Sequence, residues 1–193
     1  MAKHDSPASM LKESLDESLE AARFCADYKK TDKKWGEFST GGCLGYPSAI
    51  LLFSLVDTIG SYFRKDKSFV IMINGKPETI DGLDWEHFKI LNSKYFNQNL
   101  SAEFIQQLYR KFRSCLTHNS VLGSDTLMFP DNTAINPKIQ DQAFIIGHDE
   151  SGKIIYAISI KELWNLCSRA VDLFKKDIDI IVPKSRQGKN FQK

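Results

Sequence analysis

The segment from about residue 47 to residue 64 constrains the fold most, because it is apolar around much of its circumference. Its apolar side chains are those of Ile50, Leu51, Phe53, Leu55, Val56 and Ile59. Pro47 stands where proline suits the first turn of a helix, and a helix that is apolar on all sides has to be buried. The longest apolar stretch, residues 49–56, is far shorter than the ~20 residues of a membrane span. We therefore expect a helical protein with this segment at its centre and no membrane association.

Four further segments show helical periodicity and two show strand character. The helical segments are residues 8–30, 84–96, 101–118 and 161–176, and the strands are residues 69–73 and a hairpin at 143–158. An Asn-Gly turn follows the first strand, and residues 121–140 show no regular pattern. Strands and helices do not alternate regularly, so a parallel α/β sheet is disfavoured. The sequence predicts a mainly α fold: a bundle of about five helices with a short strand and a β-hairpin insertion.

Composition and charge indicate one ordinary globular domain with a basic end. The chain has 193 residues, 42% of them hydrophobic and 26% charged, and its net charge of +2 does not by itself indicate nucleic-acid binding. The last eleven residues contain four basic side chains and no acid, which is typical of a flexible tail that is solvated or touches phosphates non-specifically. We divide the chain into an N-terminal helix and loop (1–45), a helical domain (46–176) and a flexible tail (177–193).

The cysteines and histidines do not predict a metal site. Cys25, Cys43, Cys115 and Cys167 lie far apart, and no histidine clusters with them at the spacing of zinc ligands. The N-terminus lacks the apolar core of a secretory signal. We therefore expect no metal or other cofactor and a cytoplasmic location.

The helix at residues 101–118 carries the residues with the clearest chemical potential. Ser101 suits the N-cap and Glu103 the first turn, and the apolar stripe consists of Phe104, Ile105, Leu108, Phe112, Cys115 and Leu116. At ~100° per residue from Phe104, Arg113 falls near 180° and His118 near 320°, on the face opposite the stripe. The two side chains are then ~140° apart and do not touch in a straight helix.

Two interpretations of this polar face remain open. It is either a solvated helix surface, where arginine usually lies, or a surface that meets a substrate or a second chain. Arginine can hold a phosphate through a bidentate fork and histidine can move a proton near neutral pH. Tyr109, near 140° on the same wheel, either supports the Arg113 side chain or forms the edge of the core.

Two other segments are weaker candidates. The glycine-rich loop 41–45 precedes a helix, and helix N-termini bind phosphate, but no Gly-Lys-Ser/Thr follows, so a flexible entry to the helix is favoured. A small-molecule site at this loop is the third alternative. His148, Asp149 and Glu150 lie at the tip of the predicted hairpin, where exposure alone explains their polarity.

The segment from Leu108 to His118 resembles the signature helix of HEPN-domain proteins, in which four to six residues separate an arginine from a histidine; here four residues separate Arg113 from His118. The resemblance covers residues 47–176, but only the helix with the Arg–x4–His motif, called the motif helix below, carries residues specific to the family. It implies a helical bundle that is often a metal-independent endoribonuclease acting as a homodimer. Many relatives belong to toxin–antitoxin or phage-defence systems, and others are inactive modules that bind RNA or a partner. Ser114 departs from the Asn, Asp or His common after the motif arginine.

The resemblance also implies roles for individual residues. Arg113 would bind the scissile phosphate and His118 would act as general acid or base, giving a 2′,3′-cyclic phosphate and a 5′-hydroxyl. Arg110 would extend the phosphate contacts and Ser114 would orient the imidazole. The expected partners are a second copy of the chain, an RNA substrate and a cognate regulator or antitoxin. The alternative is a catalytically inactive dimeric module for interaction or RNA binding.

Overall fold

The described chain is mainly helical, which confirms the predicted class. The computed structural model describes residues 6–38, 41–131 and 141–191. The α-helices are α1 (Pro7–Asp27), α2 (Gly45–Tyr62), α3 (Ala102–Leu108), α4 (Cys115–Asn119), α5 (Ile160–Lys184) and α6 (Arg186–Phe191). Short 3-10 helices cover Lys33–Phe38 and Asp84–Asn92, and a π-helical segment, Tyr109–Ser114, joins α3 to α4. The strands are β1 (Ile71–Ile73), β2 (Lys76–Glu78), β3 (Thr126–Phe129), β4 (Phe144–His148) and β5 (Ile154–Ser159).

Helix α2 lies at the centre of the core, as its all-round apolar character predicts. Leu52, Phe53, Val56 and Ile59 have no exposed surface. The helix packs against α1 and α5 and against the 3-10 helix Asp84–Asn92. Because α2 has neighbours on several sides, each polar side chain that it buries needs a hydrogen-bond partner within the protein.

Helices α1 and α5 run antiparallel and close the bundle around α2. Their contacts are Lys12 with Asp179, Asp16 with Lys175, and the Leu19 carbonyl with the Trp164 indole. Helix α1 begins at Pro7 because Ser6, its N-cap, accepts the hydrogen bond of the Ser9 amide. Helix α1 shares one hydrophobic core with α2 and α5, so the predicted boundary at residue 45 does not separate two cores.

The C-terminal segment differs from the predicted flexible tail. Helix α5 continues to Lys184, eight residues past its predicted end, because Ile178 and Val182 extend its apolar stripe and are buried. Helix α6 follows at once, and the Gln187 side-chain amide donates to the Ser61 carbonyl at 2.7 Å. The basic residues of this segment are therefore part of the fold up to residue 191.

The predicted hairpin is present and belongs to a three-stranded sheet. Strands β4 and β5 pair antiparallel, and β5 is central because β3 pairs with it in parallel on the other side. Strand β3 lies in a stretch that the sequence predicts to be irregular, of which residues 132–140 lie outside the described residues. A parallel pairing has no local turn that would announce it, because its two strands are distant in sequence.

A second, two-stranded sheet confirms the predicted Asn-Gly turn. Strand β1 pairs antiparallel with β2, and Asn74 and Gly75 both have positive φ, at 51° and 74°. Those angles match the type I′ turn that the dipeptide favours. The helix predicted at 84–96 is instead a 3-10 helix that ends at Asn92.

Candidate functional site

The motif helix is one continuous helical run whose middle is wider than an α-helix. Ser101 caps it, as predicted, by accepting from the Phe104 amide at 3.1 Å. The π-helical segment covers Tyr109–Ser114. Each residue of a π turn advances the helix by less than the ~100° of an α-helix, and such turns are frequent at functional sites. The wheel drawn for a regular α-helix therefore misplaces the side chains that follow Leu108.

Arg113 is the side chain that this change moves most consequentially. The sequence predicts it on the polar face opposite the core, and the structure places it against α2. Its Nη2 atom lies 2.8 Å from the Asp57 Oδ2 atom, and its side chain is only 22% exposed. The shorter angular advance of the π turn accounts for the difference, because it brings Arg113 back towards the apolar stripe.

Asp57 is the polar centre of this site. Its second oxygen lies 2.8 Å from Nδ1 of His87. A carboxylate can only accept, so Nδ1 carries the proton and donates. One carboxylate of the central helix thus joins the motif helix, through Arg113, to the 3-10 helix that carries His87.

Two buried polar atoms beside Asp57 have no hydrogen-bond partner among the described residues. They are Nε of Arg113 and Nε2 of His87. Buried polar groups are nearly always hydrogen-bonded, so each exception requires an explanation. Both atoms belong to the side chains that Asp57 holds, so this cluster retains hydrogen-bonding capacity that the described residues do not use.

A close backbone approach brings His87 to Asp57. A Cβ atom at Gly60 would lie 2.1 Å from the His87 carbonyl oxygen. Only glycine lets the 3-10 helix approach α2 at this distance. Gly60 lies one turn after Asp57, so the contact that requires glycine also fixes the histidine beside the carboxylate.

Tyr109 takes both positions that its place on the wheel leaves open. Its ring packs edge-on against Phe88 at 5.4 Å between centroids, and the Arg113 guanidinium carbon lies 5.6 Å from the ring centre. Its hydroxyl lies 3.4 Å from an oxygen of Asp84. Burial, and secondly the charge of Asp84, raises the pKa of Tyr109 above its ordinary value. The phenol stays neutral near pH 7 and its ring supports Arg113.

His118 lies away from this cluster. It is exposed in the short helix α4, which ends where Ser120 takes the left-handed conformation and donates to the Leu116 carbonyl. Arg110 is also exposed and Ser114 is half-buried. Within the described ranges no hydrogen bond joins Arg113 to His118. One chain therefore presents a held arginine and a separate, solvent-facing histidine.

Sequence reasoning misses Asp57 and His87, although one signal for Asp57 was available. It is the sole charged side chain of α2, the most apolar helix of the chain. A charge in such a helix is expected to have a buried partner. No comparable signal marks His87, because its approach depends on the backbone contact at Gly60.

The weaker candidates have structural roles. The loop 41–45 is fastened to the end of α1, with the Leu44 amide donating to the Cys25 carbonyl at 3.0 Å. At the hairpin tip, Asp149 accepts from the amide and hydroxyl of Ser151. These hydrogen bonds shape the turn and, led by that of the hydroxyl, lower the pKa of Asp149.

Comparison with known proteins leaves the family open. No family model, no curated protein and no solved structure matches this chain. Among the residues that the structure describes, no three His, Cys, Asp or Glu side chains form a group that could hold a metal ion. Across the same residues, no helix combines the length and apolarity needed to cross a membrane.

Proposed function

We propose that the protein is a HEPN-like, metal-independent endoribonuclease in which Arg113 binds phosphate and His118 is the general acid or base. The observation that carries the proposal is the restraint of Arg113, which Asp57 and Tyr109 hold in one orientation at the start of the Arg–x4–His spacing. A positioned cation that needs no reorganisation is effective at stabilising developing charge. His118, ~7.5 Å further along the axis at 1.5 Å per residue, is exposed and can reach a bound strand.

The proposed reaction is an internal transesterification of RNA. The 2′-hydroxyl attacks the adjacent phosphorus while a base takes its proton, and the P–O5′ bond breaks as an acid protonates the leaving oxygen. The products are a 2′,3′-cyclic phosphate and a 5′-hydroxyl, with no redox change. Arg113 stabilises the extra negative charge on the phosphorane oxygens.

A homodimer supplies what one chain lacks in this proposal. A single His118 cannot be base and acid in the same step, and it makes no hydrogen bond to Arg113 in the described chain. A second copy would bring its own motif helix to the same phosphate, with Arg110 and Ser114 supporting the contacts. We place such an enzyme in the cytoplasm, under a cognate regulator or antitoxin.

The test is cleavage of RNA in the presence of EDTA. Wild type and His118→Ala are incubated with mixed RNA, and the product ends are identified by mass spectrometry. The matched control is His148→Ala, which removes another exposed histidine, on β4. Cleavage that yields cyclic phosphates and is lost only in His118→Ala is expected. Equal cleavage by wild type and His118→Ala would refute the enzymatic proposal.

The second candidate function is an inactive dimeric module that binds RNA or a protein partner. The ion pair between Arg113 and Asp57 favours it, because the carboxylate already compensates the arginine charge. Ser114, in place of a stronger polar residue, favours it too. This candidate predicts that Arg113→Ala alters dimerisation or partner binding with no RNA phenotype. A monomer in light scattering would count against it.

A further inference from the structure

A groove of about 900 Å³ lies between the turn that follows α2 and the C-terminal helices α5 and α6. One wall is the turn at residues 64–68, and the other is formed by the last turn of α5 together with α6. Its cationic side chains are Arg64, Lys65, Lys67, Lys184, Arg186 and Lys189. Residues distant in sequence therefore build one basic surface.

Most cations of the groove make no ion pair with a carboxylate in the described chain. In the described chain Lys67 pairs with Asp81, and the other five make no ion pair. Outside the groove, Lys12, Lys94 and Lys175 each pair with an aspartate. The lining has these six cations and one carboxylate, that of Asp66, which gives a formal charge of +5, or +4 when Asp81 is included as the partner of Lys67; the whole chain has +2. The positive charge of the protein is thus concentrated here.

The two walls of the groove are held in place by the protein itself. The Gln187 amide donates to the Ser61 carbonyl at 2.7 Å and so fastens α6 to the end of α2. A Cβ atom at Gly188 would lie only 1.7 Å from the Val182 carbonyl oxygen, which makes the corner between α5 and α6 tight. The cations therefore sit on an ordered frame, and binding an anion does not require the walls to form first.

The groove also contains features that suit a nucleic-acid strand. Arg64 lines the groove, and the N–H donors of a guanidinium match phosphate oxygens. Tyr62 lines the groove and offers an aromatic ring. A positively charged groove with an aromatic side chain is the usual arrangement for binding single-stranded nucleic acid. The concave shape suits an extended strand better than the flat surface of a bilayer.

We propose that this groove binds the phosphodiester backbone of single-stranded RNA. The inference rests on the proposed function for the identity of the substrate, and it adds how the strand is held outside the motif helix. Binding of this kind is governed by charge and is weakly dependent on sequence.

The experiment measures binding of the full chain to a 12-nucleotide 2′-O-methyl oligouridylate labelled with fluorescein. The 2′-O-methyl group removes the attacking hydroxyl, so binding is read without cleavage. The test variant replaces Lys65, Lys184 and Lys189 by Gln. The matched control makes the same change at Lys33, Lys76 and Lys153, which are exposed lysines outside the groove. Fluorescence anisotropy is recorded from 50 to 500 mM salt, and thermal unfolding verifies that each variant folds.

The expected result follows from the release of counterions. For single strands, the logarithm of the association constant falls with the logarithm of the salt concentration, with a slope of about −0.7 per neutralised phosphate. Three lost contacts therefore make this slope less negative by about 2 and weaken binding roughly 100-fold at 0.1 M salt. The control is expected to weaken binding less than about threefold. Equal weakening by both variants would overturn the inference, as would equal competition by polyglutamate at the same charge, which would indicate an acidic peptide.

The outcome is separable from that of the proposed function. Loss of groove binding in a protein that cleaves no RNA supports the groove and refutes the ribonuclease. Cleavage by a protein whose groove variant binds RNA like wild type supports the ribonuclease and refutes the groove.

Discussion

The ion pair between Asp57 and Arg113 makes a quantitative prediction about stability. We expect Asp57→Ala and Arg113→Ala to destabilise the protein individually, and the double variant to be more stable than the sum of the two predicts. In Asp57→Ala the partly buried guanidinium loses its carboxylate, and His87 loses its acceptor. Replacing Asp57 removes its hydrogen bond to His87 whether or not Arg113 is present, and replacing Arg113 removes its ring contact whether or not Asp57 is present. These two losses therefore cancel in the cycle, and the coupling energy reports the ion pair.

The burial of the pair sets the magnitude. The two side chains are 22% and 20% exposed and their atoms are 2.8 Å apart. Breaking a fully buried pair costs about 3–5 kcal/mol and an exposed pair contributes about 0.2–1 kcal/mol, so we expect a coupling of about 1.5–2.5 kcal/mol. For Asp57→Ala, a loss of about 3 kcal/mol corresponds to a fall in Tm of roughly 6–12 °C.

The assay is urea unfolding at pH 7 of wild type, both single variants and the double variant. The matched control is the pair of Lys12 and Asp179, which has the same distance of 2.8 Å but exposures of 35% and 69%. Its coupling is expected below about 0.5 kcal/mol. If the coupling of Asp57 with Arg113 is no larger than that of the control, the argument that burial strengthens this pair is refuted.

Three further perturbations test the packing and the electrostatics of the fold. Gly60→Ala places a methyl group 2.1 Å from the His87 carbonyl oxygen and should lower the free energy of unfolding in urea by more than about 2 kcal/mol. The control, Gly147→Ala, meets no atom within 4 Å and should change it by less than about 0.5 kcal/mol. Similar effects of the two substitutions would contradict the close approach at Gly60. Phe53→Ala removes a fully buried ring and should cost about 3–5 kcal/mol, with a smaller loss showing that the core collapses into the space. Hydrogen bonds from Lys94 and Tyr95 lower the pKa of Asp177, so its contribution to the free energy of unfolding is present above the ordinary pKa of 3.8 and is lost as the pH falls. Asp177→Asn should therefore lose less stability than wild type between pH 6 and pH 3. Parallel plots of stability against pH for the two proteins would refute that contribution.

Local periodicity predicts the elements of this fold whose cause is local. The all-round apolar segment at α2, the Ser101 cap, the Asn74–Gly75 turn and the hairpin at β4 all follow from neighbouring residues. Strand β3 does not, since its pairing with β5 joins residues about thirty positions apart. The π turn is not predicted either, because a helical wheel assumes a constant angle per residue.

The candidate site shows the same division between local and distant causes. The Arg–x4–His spacing is a local pattern and identifies Arg113 and His118 directly. The partner of Arg113 comes from α2, fifty-six positions earlier in the chain. A wheel cannot include that partner, so it assigns the arginine to solvent when a carboxylate of the core holds it. Only the isolation of Asp57 in an apolar helix indicates from sequence that such a partner is needed.

The pairing with Asp57 also limits how Arg113 can bind a phosphate. A bidentate fork uses two guanidinium nitrogens, but Nη2 is already bonded to Asp57 and Nε is buried. A phosphate therefore uses the remaining N–H groups of Nη1 and Nη2, beside a carboxylate whose negative charge opposes it, or it displaces the carboxylate and leaves Asp57 with His87 alone. The first course gives weak binding with a fixed orientation, and the second gives a stronger contact at the cost of the internal ion pair. In both, Arg113 alone provides less binding energy than a free arginine would, so an active enzyme of this design depends on cations outside the motif helix to retain its RNA.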